Sequence, residues 1–148
     1  MIKNSAFTLL ELIVVIVILG ILATLGFTQY NKTVERTREA EAIAAIGSMT
    51  KLAWSYYLAN GTFVGIQNAD CGVGSSSDQI PSSCRSANYF WYQVASSDYS
   101  AQVDLNAVRC TSGGKTPNYS TAYNPYIRLL NNGTQQFKCQ GGCPEGNH

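Results

Sequence analysis

The chain shows two successive patterns of hydrophobic and polar positions, which change at about residue 30. From Phe7 to Phe27 apolar residues dominate on every side, and the centre, Leu12 to Leu22, is rich in Leu, Ile and Val. A helix of about 20 such residues spans the hydrocarbon core of a membrane. One carboxylate, Glu11, lies near its start, and a lone acid in hydrocarbon costs roughly 2.5 to 3.5 kcal/mol. This pattern predicts a membrane helix whose acid needs a cationic partner.

The second pattern, over residues 31–60, is amphipathic. Apolar residues recur at three- and four-residue steps, and charged residues make the opposite face. The apolar positions are Val34, Ile43, Ile46, Met49, Ala53 and Tyr56, and the charged positions are Lys32, Glu35, Arg36, Arg38, Glu39, Glu41 and Lys51. Such a stripe is typical of a helix packed along one side. Asn60-Gly61 predicts the end, so one helix of roughly 80 Å runs from Phe7 to about Asn60.

Beyond residue 60 the chain changes to turn residues and short alternating runs. Two β-rich runs, "NYFWYQVAS" and "YSAQVDLNAV", flank Ser97-Asp98 and predict a hairpin. A second hairpin is predicted in "YIRLLNNGTQQFKC", because Asn132-Gly133 suits a tight turn with positive φ. The stretch "CGVGSSSDQIPSSC" has no period and predicts a loop. We therefore expect an α+β fold: a long N-terminal α-helix whose apolar half protrudes, with a small head of three or four antiparallel strands on its C-terminal half.

Composition and charge narrow the function classes. The chain has 148 residues, with 10 Lys and Arg against 9 Asp and Glu, which fits one small domain plus the apolar segment. The near-neutral charge gives no basic footprint for nucleic acid and no polybasic patch for anionic lipid. We therefore expect no direct binding of nucleic acid.

Five cysteines all follow the apolar segment: Cys71, Cys84, Cys110, Cys139 and Cys143. Behind an N-terminal membrane segment, this distribution indicates an exported domain in an oxidising compartment. We expect two disulfides and one remaining thiol, with Cys71 paired to Cys84 across the loop and Cys110 paired to Cys139 or Cys143 across the sheet.

A zinc site and an enzyme are both weaker interpretations of these residues. Cys139 and Cys143 lie four apart, but there is no second close pair of cysteines. The single histidine, His148, is the last residue, and a catalytic arrangement would depend on it. Asp70 and Asp78 match no recognised calcium loop. We predict no metal, no cofactor and no enzymatic activity.

The residues Phe7-Thr8-Leu9-Leu10-Glu11, after a short leader with Lys3 and before the apolar run, carry a resemblance to a known family. Over Ser5 to about Tyr30 the chain resembles the N-terminal region of type IV pilins and of the pseudopilins of type II secretion. The resemblance implies that prepilin peptidase, a membrane protease, cuts between Ala6 and Phe7 and that Phe7 is then N-methylated. Ala6 stands where the family usually has glycine.

This resemblance implies a division of the chain into four parts. Residues 1–6 are the leader peptide, and residues 7–30 are the transmembrane and polymerisation half of the helix. Residues 31–60 are its amphipathic half, and residues 61–148 form the antiparallel β head with cysteine-closed loops.

The predicted cut also gives Glu11 a partner. It creates an α-amine, whose pKa is ordinarily about 7.7 to 8, on Phe7. Glu11 lies one turn along, where the helix dipole favours an anion. Staggered subunits in a filament would place the amine of one Phe7 against Glu11 of its neighbour. At about 4 Å and an effective dielectric near 20, this attraction is on the order of 4 kcal/mol. The alternatives are that Glu11 caps an ordinary membrane anchor, or that the run is a cleaved secretory signal.

Three functions remain open at this point. The first is a structural subunit of a type IV pilus, in motility, adhesion or DNA uptake. The second is a pseudopilin of a type II secretion system, and the third is a membrane-anchored exported binding domain that never polymerises. The first implies homo-oligomerisation into a helical filament, inner-membrane assembly machinery as a partner, and a single-pass chain with its head outside the cytoplasm. Such a chain resides in the inner membrane before assembly and in the extracellular pilus afterwards.

Overall fold

A single helix, α1, spans Leu9–Asn60 in the computed structural model, which describes residues 8–96, 98–117 and 122–143. Thr8 caps its start, since its side chain accepts a hydrogen bond from the Glu11 N–H at 3.3 Å. Gly61 ends it with φ 72°, and the Gly61 N–H donates to the Tyr57 carbonyl at 2.7 Å. The predicted end is confirmed, whereas the predicted first residue, Phe7, lies outside the described residues.

Four longer strands form the main sheet of the head. A 3-10 turn at Asn68–Cys71 precedes two short strands, β1 (Val73–Gly74) and β2 (Ile80–Pro81), which pair in parallel. The main strands are β3 (Phe90–Ala95), β4 (Gln102–Arg109), β5 (Tyr123–Leu130) and β6 (Gln135–Gly141). They are antiparallel, in the order β3-β4-β5-β6. The α+β prediction and both hairpins are confirmed, although Ser97, at the first turn, is outside the described residues.

The β5–β6 turn differs in detail from its prediction. Only Gly133 has a positive φ, of 84°, whereas Asn132 does not. The Leu130 N–H donates to the Thr134 carbonyl and the Gly133 N–H to the Leu130 carbonyl, each at 2.9 Å, so the loop has one residue more than a two-residue turn. The Asn132 side chain accepts from the Thr134 N–H at 2.9 Å, which stabilises this longer form.

The core lies between the second half of α1 and the inner face of the sheet. Alternate residues of β4 (Val103, Leu105, Ala107 and Arg109) are buried, as expected for a sheet covered on one side. On the helix, the buried apolar residues are Ala42, Ile46, Met49 and Ala53. The predicted packing of the head on the C-terminal half of α1 is therefore confirmed.

The predicted polar face of this half-helix is wrong at two positions. Glu35 is completely buried and Glu39 is 6% exposed, whereas Ile43, which we placed on the apolar stripe, is 36% exposed. The buried residues still recur at three- and four-residue steps, but the row passes through Glu35 and Glu39. The residues of α1 that face the head are therefore determined by helix geometry and not by side-chain polarity. As a consequence, the head must supply hydrogen-bond partners for the buried carboxylate of Glu35.

The predicted cysteine pairing is also wrong. The disulfides are Cys84–Cys110 and Cys139–Cys143, while Cys71 is a free, buried thiol. Cys71 ends the 3-10 turn inside the core, whereas Cys84 lies 5.8 Å, between Cα atoms, from Cys110 just after β4. The expected count of two disulfides and one thiol agrees with the structure.

Candidate assembly interface

The N-terminal half of α1 presents a long apolar surface without cover from the head. Every residue from Thr8 to Tyr30 is exposed. Large side chains in this stretch have high exposed fractions, from 45% at Ile13 to 76% at Leu9. This is the part of α1 that is long and apolar enough to cross a membrane. Soluble monomers rarely expose a continuous apolar surface larger than a few hundred Å², so this half requires lipid or other helices around it.

Glu11 is the one charged residue between positions 8 and 31. It lies in the first turn of α1, where unpaired backbone N–H groups favour an anion. Its predicted partner, the Phe7 amine, and the predicted cut after Ala6 lie outside the described residues. The pairing of Phe7 with Glu11 therefore stays a prediction, whereas the position of Glu11 at the exposed end of the helix is a feature of the structure.

The hydroxyls of Thr24 and Thr28, inside the apolar half, are hydrogen-bonded to the helix itself. The Thr24 hydroxyl donates to the Ile21 carbonyl at 2.8 Å, and the Thr28 hydroxyl donates to the Thr24 carbonyl at 3.3 Å. Both hydroxyls are thereby satisfied without water. The helix also continues without a break through Gly20 and Gly26. This half of α1 can therefore lie in lipid or against another helix without an unpaired hydroxyl at these positions.

The spacing of charges along α1 matches a bilayer. After Glu11 the next charged residue is Lys32, and this separation along a helix is roughly 31 Å, close to the hydrocarbon thickness. Phe27 and Tyr30 lie at the Lys32 end and are 68% and 65% exposed. Aromatic residues are enriched at such interfaces. The same apolar half can thus lie in a bilayer with the head immediately above the surface.

A cluster of polar side chains lies where α1 enters the head, and we call it the neck: Glu35, Arg38, Arg109 and Tyr123. The Glu35 carboxylate accepts from Arg109 Nε at 3.0 Å and from Arg109 Nη2 at 3.2 Å. It also accepts from the Tyr123 hydroxyl at 3.2 Å and from Arg38. Burial, and next the negative charge of Glu35, raise the pKa of Tyr123 well above its usual range, so Tyr123 remains a hydrogen-bond donor.

Arg109 connects the neck to three backbone carbonyls of the head. Its Nη1 donates to the carbonyls of Tyr89, at 2.7 Å, Cys110, at 3.3 Å, and Lys115. Arg109 is 1% exposed, so these bonds satisfy a guanidinium that water does not reach. Arg109 was not among the residues predicted from the sequence, although the alternation of β4 places position 109 on the inner face.

Two aspartates of the head, Asp70 and Asp104, have structural partners. Asp70 accepts from the Gln67 N–H at 2.8 Å and caps the 3-10 turn. Asp104 forms two 2.8 Å bonds with Arg128 on the neighbouring strand. Within the described ranges, no group of three or more His, Cys, Asp or Glu residues is arranged to hold a metal ion.

Comparisons with known proteins agree with this geometry. The model of the prokaryotic N-terminal methylation motif matches residues 1–27. A fimbrial protein of Neisseria meningitidis serogroup B is 38% identical over 75 residues, which cover 51% of this chain and 44% of the relative. The type IV major pilin protein PilE of Neisseria gonorrhoeae is 38% identical over 74 residues, 50% of this chain and 44% of PilE. The chain thus aligns with less than half the length of these relatives. No solved structure matches it.

Proposed function

We propose that this chain, whose methylation motif and fimbrial relatives support membership of the type IV pilin family, is a structural subunit of a type IV pilus. It polymerises through its N-terminal helix into an extracellular filament that serves motility, adhesion or DNA uptake. One observation carries the proposal: from Thr8 to Tyr30 the helix is exposed on all sides, is apolar and has a single carboxylate. Packing of this half against the same half of other copies removes its apolar surface from contact with water or lipid.

Processing precedes assembly in this proposal. Prepilin peptidase cuts between Ala6 and Phe7, and the new amine of Phe7 is methylated. The methylation-motif match over residues 1–27 and the place of Glu11 in the first helical turn support this step. Phe7 and Glu11 are then the assembly residues, because the amine of an incoming subunit supplies the cation that Glu11 requires in an apolar filament core.

Before assembly the subunit spans the inner membrane once, with the head outside the cytoplasm. The charge spacing between Glu11 and Lys32 and the two disulfides of the head support this placement. Inner-membrane assembly machinery then transfers the apolar half from lipid into the filament. The partners are therefore further copies of this chain, the membrane, the peptidase and that machinery.

The decisive experiment replaces Glu11 by glutamine in cells that have no other copy. Glu11→Gln keeps the shape of the side chain and removes its charge, so insertion into the membrane is as easy as before or easier. Filament yield should nevertheless fall at least about a hundredfold, because the buried amine loses its counter-charge at a cost of roughly 3 to 5 kcal/mol. Fibre yield in sheared surface material is compared with the amount of chain in the inner membrane.

Glu41→Gln is the matched control, since Glu41 is an exposed carboxylate on the same helix but within the head region. It should leave fibre yield unchanged. Normal fibres with Glu11→Gln would contradict the pairing of Phe7 with Glu11. Electron microscopy of the unmodified strain tests the broader proposal: no surface fibres there, together with loss of export of folded proteins when the chain is deleted, would instead identify a pseudopilin.

A further inference from the structure

Support of α1 by the head begins at Glu35. Every residue from Thr8 to Tyr30 is exposed, and Glu35 is the first residue along α1 that is buried. Its side chain is also fully enclosed, with a relative exposure of 0%. The helix therefore changes within about one turn from an unsupported rod to an element packed on the sheet, and a carboxylate occupies this boundary.

The bonds of this carboxylate connect positions that are far apart in sequence. Glu35 and Arg109 are 74 residues apart, and two hydrogen bonds, at 3.0 and 3.2 Å, join their side chains. Two parallel bonds between a guanidinium and a carboxylate fix distance and orientation together. The Tyr123 hydroxyl, on β5, donates a third hydrogen bond to the Glu35 carboxylate at 3.2 Å. The side chain of Glu35 is thereby held by β4 and β5 at once, which restricts rotation of the helix against the sheet.

Arg109 also connects Glu35 to the backbone of the head. It donates to the carbonyls of Tyr89, Cys110 and Lys115, and Cys110 is crosslinked to Cys84. A displacement of Glu35 along or around the helix axis therefore acts on β4, on the start of β3 and on the loop held by the disulfide. An apolar contact at this place would slide more easily, because it has no preferred direction.

We propose that Glu35 and Arg109 are positioning residues for assembly: they fix the head at one rotation about α1 and set the point at which the unsupported part of the helix ends. This inference rests on the proposed function, in which the N-terminal half of α1 is the part that polymerises. A subunit held by that half then carries its head at one defined angle. Every copy in a filament therefore presents the same surface outward.

Trypsin cleavage of the full chain in detergent micelles tests the inference without requiring filaments. Arg36 and Arg38 lie at the neck, whereas Lys51 lies in the part of α1 that packs on the core. Cleavage requires local unwinding. We expect Glu35→Gln to raise the ratio of cleavage at Arg36 and Arg38 to cleavage at Lys51 about tenfold or more, because Arg109 loses its buried counter-charge. Global destabilisation alone would raise both rates together and leave the ratio unchanged.

Three controls make the result specific. Cleavage of peptides covering residues 30–42 gives the intrinsic rate for each variant, because Glu35 adjoins a cleavage site. Glu41→Gln should keep the wild-type ratio, as should Glu11→Gln, which tests the filament proposal separately. A wild-type ratio for Glu35→Gln would overturn the inference.

A second variant covers the case in which Glu35→Gln does not fold. Glu35→Asp keeps the charge but withdraws the carboxylate by one methylene, so the bonds to Arg109 lengthen. We expect a ratio several-fold above that of the wild type, and a wild-type ratio here would likewise overturn the inference. Fibres of this variant should show heads at variable angles by electron microscopy, and uniform heads would contradict the positioning role.

Discussion

At the scale of single residues, burial raises the pKa of two side chains, Cys71 and Tyr92. Cys71 has no exposed surface, and burial, followed by the nearby negative charge of Asp70, raises the pKa of its thiol from 9.0 to about 12. Burial and next the charge of Glu41 raise the pKa of Tyr92 from 10.0 to about 12. Both groups are neutral in the folded chain over a pH range in which they ionise in the unfolded chain.

These shifts predict a loss of stability in alkali. Since the folded pKa values lie above the unfolded ones, the contribution of both groups is complete below about pH 9 and disappears as pH rises toward 12. At pH 10.5 the thiol alone should lower the free energy of unfolding by on the order of 2 kcal/mol relative to pH 8. Urea unfolding at both pH values measures this decrease.

Cys71→Ala provides the comparison, because it removes the thiol and leaves Tyr92 in place. The decrease between pH 8 and pH 10.5 should be smaller in this variant, even if its stability at pH 8 is lower. An equal decrease in both chains would show that Cys71 does not contribute to the pH dependence. Rapid reaction of the native thiol with a maleimide at pH 8 would also contradict its burial.

At the scale of secondary-structure elements, the features predicted from sequence are those that depend on neighbouring residues. The end of α1 at Gly61 and the two hairpins follow from periodicity and local turn chemistry. The pairing of Glu35 with Arg109 and the choice of Cys110 for Cys84 depend on segments brought together only by folding. A charged residue at a core position of a helix cannot be recognised without its partner strand. The three-residue length of the β5–β6 loop likewise depends on a side-chain hydrogen bond, from the Thr134 N–H to Asn132.

Replacing either of two glycines by alanine should change the free energy of unfolding, in opposite directions. Gly133 has a φ of 84°, and a Cβ there would lie 3.3 Å from the Trp54 ring. Gly133→Ala should therefore lower the free energy of unfolding by about 1 to 2 kcal/mol. Gly47 lies inside α1, and nothing lies within 4 Å of an added Cβ. Gly47→Ala should raise the free energy of unfolding by up to about 1 kcal/mol.

Chemical denaturation of the two variants beside the wild type gives both values. The same substitution serves as its own control, because the chemical change is identical and only the backbone conformation and surroundings differ. Stabilisation by Gly133→Ala would contradict the left-handed conformation in the β5–β6 turn. Destabilisation by Gly47→Ala would indicate that another molecule packs closely on that side of the helix in the measured state.

At the scale of the whole molecule, the two halves of one continuous helix have different surroundings. Its C-terminal half is the base on which the sheet packs, and its N-terminal half is exposed at every residue from Thr8 to Tyr30. The buried residues of α1 all lie in its C-terminal half, and in the proposed function the N-terminal half exchanges lipid for other helices. The neck, with the buried ion pair of Glu35 and Arg109, lies where the two halves meet.

This division predicts the chemical form of the mature subunit. Mass spectrometry of chain recovered from sheared surface material should find Phe7 at the N-terminus carrying one methyl group, with residues 1–6 removed. The cut places the new amine on Phe7, four residues before Glu11 in the sequence, whereas an uncut leader would add Lys3 and a polar segment to the end that must enter the filament core. Ala6→Gly should leave the cut site unchanged and make processing at least as fast. Recovery of an intact Met1, or of a chain that begins after Leu22, would contradict both the processing step and the pairing of Phe7 with Glu11, because the first form has no free amine on Phe7 and the second lacks both residues.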